Sequence, residues 1–340
     1  MNKLIPVIIL VITVIIGCDN TTNRKQANYP DNADSLLILT DLISNDSLNY
    51  DLFSQRASLY LRKGNIDPAL RDIQSALKIS PDNPKLFILL SDVYLILGQT
   101  ENSIASLKKA IKLNPESEIP FLKLSEIYLL LDDPKTAINY TNEAISINRY
   151  NPESYYMKAM CMMENRDTAE AIINFRLSAN YDTTNYMTYM QLGAIYTSKN
   201  DSSSKLYFEK ALRISPDDER ALYYLGMYYQ ERTKFDKAIE KYSRLTELYP
   251  TNRRAFYNMG YLYLVEFKDF QNAKDMFEKA VEISPSFVEA VYNLGRSYEA
   301  LGDYTAAREN YWKALDLLPN YPLAVQSLNR LDDIQIRKKK

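Results

Sequence analysis

The chain has 340 residues, with 41 Lys and Arg against 43 Asp and Glu and a formal net charge of −2. Charges so evenly balanced produce no field that would draw nucleic acid, and no nucleic-acid partner is expected. Zero His and only 8 Gly exclude His-based general-base catalysis and His-ligated metal. They also leave little material for phosphate loops or tight hairpins, so the expectation is an all-α protein, not an enzyme, with no catalytic, cofactor-binding or metal-binding residues.

Residues 1–17 read as a signal peptide. Met1 to Lys3 is positive, and Leu4 to Ile16 is an aliphatic run broken only by Pro6 and Thr13, too short for the roughly 20 apolar residues that a membrane span needs. The run ends in Ile15-Ile16-Gly17-Cys18, which resembles the lipobox of bacterial lipoproteins. That resemblance implies cleavage before Cys18 and acylation of Cys18 with diacylglycerol and a further chain such as palmitate. A cleavable signal peptide whose Cys is incidental is the other reading. Each buried methylene contributes about 0.8 kcal/mol, so two or three chains anchor where one would not. The expected location is the bacterial cell envelope, on the outer membrane in preference to the inner, facing the periplasm or the cell surface. Asp19 does not decide between the membranes.

Residues 18–34 are polar, carry Pro30 and lack an apolar period, so they read as a flexible tether. Residues 35–49 read as an N-terminal helical half-repeat. Beyond them proline stands at 81, 115, 216, 250, 285 and 319, and the spacing defines a unit of about 34 residues. Taking each Pro as the close of a unit, residues 50–321 divide into eight repeats that start at Tyr50, Pro84, Glu118, Pro152, Tyr186, Glu219, Arg253 and Val288.

The units agree position by position. The eleventh residue is Tyr60, Tyr94, Tyr128, Met162, Tyr196, Tyr229, Tyr263 or Tyr298; the eighth is always small, as Ala57, Ser91, Ser125, Ala159, Gly193, Gly226, Gly260 and Gly295. Positions four, seven, eight and eleven share one helix face, and small residues there let a second helix approach closely. Gly64, Gly98 and Gly302 at the fifteenth position end the first helix, as residues free to adopt left-handed backbone do. A second helix follows, with Ala near the twenty-seventh position in most units.

This pattern resembles the tetratricopeptide repeat (TPR), over Tyr50 to Tyr321, about four-fifths of the chain. The resemblance implies a right-handed α-solenoid of about eight helix-turn-helix repeats with helical caps. Residues 322–340 form the second cap, a C-terminal helix followed by a basic tail that is either solvated or in contact with anionic lipid. Departures are local. Arg149 and Thr183 replace the closing Pro, Leu245 replaces a small residue, the fifth repeat is one residue short around 199–204, and the seventh is one longer near 267–272.

In the same family, positions two, five, nine and twelve or thirteen of the first helix line a concave groove. The outer repeats place polar residues there. The middle ones place Tyr156, Met160, Met163, Met187, Met190, Tyr223, Met227, Tyr257 and Tyr261 there, and adaptable methionines among aromatics form the candidate partner-binding strip. Tight packing of the superhelix on itself is the alternative use of the same residues. The family's clamp for a C-terminal carboxylate, Lys at five and Asn at nine, is missing, because Ser54, Ile88, Leu122, Tyr156, Met190, Tyr223, Tyr257 and Tyr292 hold the fifth position.

The expected function is therefore a scaffold of an envelope complex that binds a protein or peptide, of the kind similar repeat lipoproteins provide in pilus biogenesis, secretion machines or recruitment of wall hydrolases. A lipoprotein handing a glycan or peptide to a transporter is the alternative. Cys161 reads as a small core residue, and the acid pairs Asp132-Asp133 and Asp217-Asp218 as turn and cap residues.

Overall fold

A computed structural model describes residues 33–338. The signal peptide, the acylation site at Cys18 and all but the end of the tether lie outside the described residues.

Among the described residues the protein is helical throughout, and its contacts divide it into two compact units at Thr183 and Thr184. The first unit opens with α1 (Ala33–Asn45) and continues as four helix pairs, α2 (Tyr50–Arg62) with α3 (Ile66–Ile79), α4 (Pro84–Ile96) with α5 (Thr100–Leu113), α6 (Ile119–Leu130) with α7 (Pro134–Ile147) and α8 (Pro152–Glu164) with α9 (Thr168–Tyr181). The second unit has the pairs α10 (Tyr186–Ser198) and α11 (Ser203–Ile214), α12 (Glu219–Glu231) and α13 (Phe235–Leu248), α14 (Arg253–Leu262) and α15 (Phe270–Ile283), and α16 (Val288–Ala300) and α17 (Tyr304–Leu317), closed by α18 (Pro322–Lys338). Within each unit the members of a pair pack together, and the second helix of one pair packs on the first of the next. The result is a stack in which each pair buries its apolar face against its neighbours.

Local chemistry explains why the helices begin and end where they do. Asn49, Asn83, Asn151, Asn185, Asp218 and Asn252 cap first helices by accepting a backbone N–H two or three residues on. Asp133, Asp167, Asp269 and Asp303 do the same for second helices, supplying a side-chain acceptor to donors that the helix leaves unpaired. Each first helix closes on a left-handed residue: Gly64, Gly98 and Gly302, but also Asp132, Arg166, Asn200, Thr233 and Lys268. The next N–H then returns to the carbonyl of the eleventh-position residue, as from Asn65 to Tyr60 at 2.8 Å and from Lys234 to Tyr229 at 2.9 Å. This is the Schellman closure. The two acid pairs lie in two kinds of turn: Asp132 closes a first helix and Asp133 caps the second, whereas between the fifth and sixth repeats Asp218 caps the next first helix and Asp217 pairs with Arg244 at 2.8 Å.

Core packing is set by the small eighth position. Gly193 faces the ring of Phe208, Gly226 that of Tyr242, Gly260 that of Phe277 and Gly295 that of Tyr311. All four rings are at least nine-tenths buried. At the corresponding places in the first three repeats stand Ala57 with Ile73, Ser91 with Leu107 and Ser125 with Thr141. Where the first helix gives up its β-carbon, the second supplies an aromatic ring, so the volume between the helices stays filled.

The two irregular repeats absorb their length change locally. In the seventh, the extra residue lies upstream of the 267–272 segment, as a π turn over Tyr263–Phe267 that ends on left-handed Lys268, a common way for a helix to hold one residue too many. In the fifth, α11 has 12 residues where the other second helices have 14.

Candidate functional site

The first helices of the first unit, α2, α4, α6 and α8, present their second, fifth, ninth and twelfth positions on one face. Its ninth-position row reads Ser58, Asp92, Glu126 and Met160. Lys123 donates to Asp92 Oδ1 at 2.6 Å, with side chains 18% and 17% exposed. Beside that pair Glu126 is 8% exposed, and its Oε1 has no hydrogen-bond partner. Burial pushes its carboxyl up to about 7; Lys123 opposes the shift, and the negative charges of Asp92 and Glu153 add to it. Burial also raises Asp92, against the pull of Lys123, and raises Glu153, helped by Asp182.

On α8, Tyr156, Met160 and Met163 share this face, but not in one environment. Tyr156 is 6% exposed, and its ring meets Phe175 edge-on with centroids 5.6 Å apart. Met160 and Met163 are half-buried. Exposed apolar side chains instead flank the acidic row at Ile96 and Leu130, 55% and 44% exposed. Cys161 is fully buried, its Sγ is 3.4 Å from Ser125 Oγ, and burial pushes the thiol up to about 11. It is a core residue rather than a nucleophile.

In the second unit α10 brings Met187 and Met190, α12 Tyr223 and Met227, and α14 Tyr257 and Tyr261. Met190 is 6% exposed and belongs to the core; the other five are half-buried. Fifth-position tyrosines cover the aromatic rings of the core: Tyr223 on Tyr242 at 6.1 Å, Tyr257 on Phe277 at 5.7 Å and Tyr292 on Tyr311 at 5.5 Å. The hydroxyl of Tyr242 donates to Gln230 and accepts from Asn258, both at 3.1 Å. Tyr311 donates to Glu299, which also receives Arg330 of α18 at 2.8 Å.

The candidate strip is therefore not uniformly accessible. Tyr156 and Met190 are the most covered of the nine, each 6% exposed, and Tyr156 rests on Phe175 of the second helix. Tyr223 and Tyr257 have packing partners of the same kind. Met160, Met163, Met187, Met227 and Tyr261 keep partial exposure. The acidic row is not among the residues that the sequence pattern singles out for the groove. Its signal was an acid at the ninth position of two successive repeats, Asp92 and Glu126.

A shallow surface recess lined by Thr197, Asp201, Ser204, Tyr228 and Arg232 among others encloses essentially no volume, far short of a small-molecule pocket.

Sequence profiles described as tetratricopeptide repeat match residues 50–83, 84–117, 219–252, 254–287 and 288–321. The chain belongs to the tetratricopeptide-repeat family. Its TPR segment is 29% identical over 129 residues to anaphase-promoting complex subunit 3 of Schizosaccharomyces pombe, a stretch that is 38% of this chain and 19% of that protein. Among solved TPR structures, PilF of Pseudomonas aeruginosa superposes with a TM-score of 0.53 at 15% identity, over 61% of this chain and 94% of that one. The C-terminal part of a TPR repeat-containing protein from Cytophaga hutchinsonii gives 0.50 at 18%, over 66% and 92%. At these identities the likeness is one of fold, an α-solenoid of TPR helix pairs.

Proposed function

We propose that this TPR chain is a non-enzymatic adaptor, held at a bacterial envelope membrane by lipid on Cys18, that binds a protein or peptide of an envelope complex along its first helices. The observation that carries the binding part is the set of Met160, Met163, Met187, Met227 and Tyr261. These stay half-buried on the first helices although the core behind them is already filled by fully buried rings such as Phe175, Phe208 and Tyr242. Adaptable side chains left at a surface suit a partner that is itself a chain. The kinship to a subunit of a large protein complex agrees with this reading. The membrane part rests on the Ile15-Ile16-Gly17-Cys18 motif.

The test is affinity capture from crosslinked membranes, comparing the wild type with a variant carrying Met160, Met163 and Met227 changed to Glu. Met190 is left intact because its burial would turn the substitution into a folding defect. Loss of one dominant protein partner with helical circular dichroism unchanged is the expected result. An unchanged set of partners overturns binding through these side chains.

A further inference from the structure

Among Asp92, Lys123, Glu126 and Glu153 of the first unit, three acids act together with one base. Lys123 gives its ammonium to Asp92 at 2.6 Å, leaving Glu126 and Glu153 without a cation of their own. Glu126 is more than nine-tenths buried and its Oε1 has no donor. Such carboxyl oxygens are nearly always satisfied, because an unpaired buried acceptor costs about 1 to 3 kcal/mol and more when charged. The cluster of Asp92, Glu126 and Glu153 holds one cation, Lys123, so its surplus of acid complements a further cationic side chain. Ile96 and Leu130, among the more exposed apolar side chains of this unit, stand at the C-terminal ends of the first helices, α4 and α6, that carry Asp92 and Glu126.

We infer that the first unit recognises a Lys or Arg side chain in the bound segment, taken by Glu126 beside the Asp92 and Lys123 pair, while an apolar residue of the same segment rests on Ile96 and Leu130. This rests on the adaptor reading and specifies its partner: a segment in which a basic residue has apolar neighbours. The cation supplies donors to a carboxyl that lacks them. Glu153 adds a second negative charge to the same place. The fixed apolar side chains then set the register of the segment.

The experiment uses the full chain in detergent micelles and fluorescein-labelled peptides of one Leu-rich sequence with Lys, Arg or norleucine at the centre. Fluorescence anisotropy is expected to give at least tenfold tighter binding for the Lys and Arg peptides than for norleucine. Glu126→Gln, which keeps the side-chain volume, is expected to remove that preference. Equal binding of all three peptides to the wild type, no binding of any of them, or a preference that survives Glu126→Gln overturns the inference. Capture from crosslinked membranes separates this from the adaptor reading. A partner lost with the Met160, Met163 and Met227 variant but retained by Glu126→Gln leaves the adaptor standing and removes the basic-residue pocket.

Discussion

Gly226 lies so close to the ring of Tyr242 that a β-carbon on Gly226 would overlap ring atoms Cε1 and Cδ1. The ring cannot retreat easily, since it is fully buried and its hydroxyl is held by both Gln230 and Asn258. Gly226→Ala is therefore expected to lower stability by about 1 to 2 kcal/mol, an overpacking cost of up to about 3 kcal/mol reduced by the better helix propensity of Ala. Adding Tyr242→Leu is expected to recover part of the loss, as Ser91 facing Leu107 already does two units into the chain. Urea unfolding of the two single variants and the double variant measures the coupling.

Thr233 offers the opposite case. It is exposed, β-branched and left-handed, with φ 55°, a conformation that costs an ordinary side chain about 1 kcal/mol or more. Thr233→Gly keeps the Lys234 to Tyr229 closure and is expected to raise the urea midpoint, with a gain of up to about 1 kcal/mol after the entropy of Gly is subtracted. A lower midpoint would show that the threonine side chain contributes something that the turn alone does not.

Stability should depend on pH through Glu126. Its folded carboxyl titrates at about 7 against an ordinary value of 4.5, so between those values the folded state holds a proton that the unfolded chain has released. Stability then falls as pH rises through this window and levels off above it. The groups that act on Glu126 are Lys123 from its own helix, Asp92 from α4 and Glu153 from α8. Glu126→Gln should leave stability at pH 4.5 nearly unchanged and raise it at pH 8, by an amount on the order of 2 to 3 kcal/mol. Thermal unfolding at both pH values decides, and a gain of equal size at both would assign the effect to packing.

Arg56 and Asp72 join the two helices of the first repeat by two hydrogen bonds of 2.7 Å, with side chains 15% and 7% exposed. Arg56 also donates to Thr40 Oγ1 at 2.9 Å, tying down α1. Asp72→Ala strands a buried cation and is expected to cost about 3 to 5 kcal/mol. Hydrogen exchange should report the loss first in α1 and α2. Pairing Asp72→Ala with Arg56→Met should restore most of the stability.

Cys18→Ala is expected to move the chain from the membrane to the soluble fraction without changing its helical spectrum. A variant that stayed in the membrane fraction would remove the lipid-anchor proposal and leave the repeat architecture untouched.

The helix pairs were legible because every repeat carries the small eighth residue and all but the third and fourth also close on a proline at the repeat spacing, and Gly226 or Gly295 has no other reason to sit inside a helix. The left-handed turns were legible only at Gly64, Gly98 and Gly302. Arg166, Thr233 and Lys268 adopt the same geometry, and nothing in their residue type says so. The binding face was legible as a face but not in depth. Helix periodicity places Tyr156 and Met160 on one side of α8, yet only the position of Phe175 decides that the tyrosine is covered while the methionine keeps a surface. Glu126 was hidden for a different reason, since a lone acid on a helix usually means solvent, and its burial arises from neighbouring repeats.

The π turn at Tyr263–Phe267 shows how the stack handles a counting error. Lys268 and Asp269 both return their N–H groups to the carbonyl of Tyr263, so the added residue loops out before the second helix starts, and the helices after it resume their positions. An insertion here is quarantined within one unit and does not travel as a phase shift into the units behind it. Repeats in this chain can thus gain or lose a residue at the turn while every later interface keeps its neighbours, which makes that turn the place where such a protein can drift in length without being rebuilt.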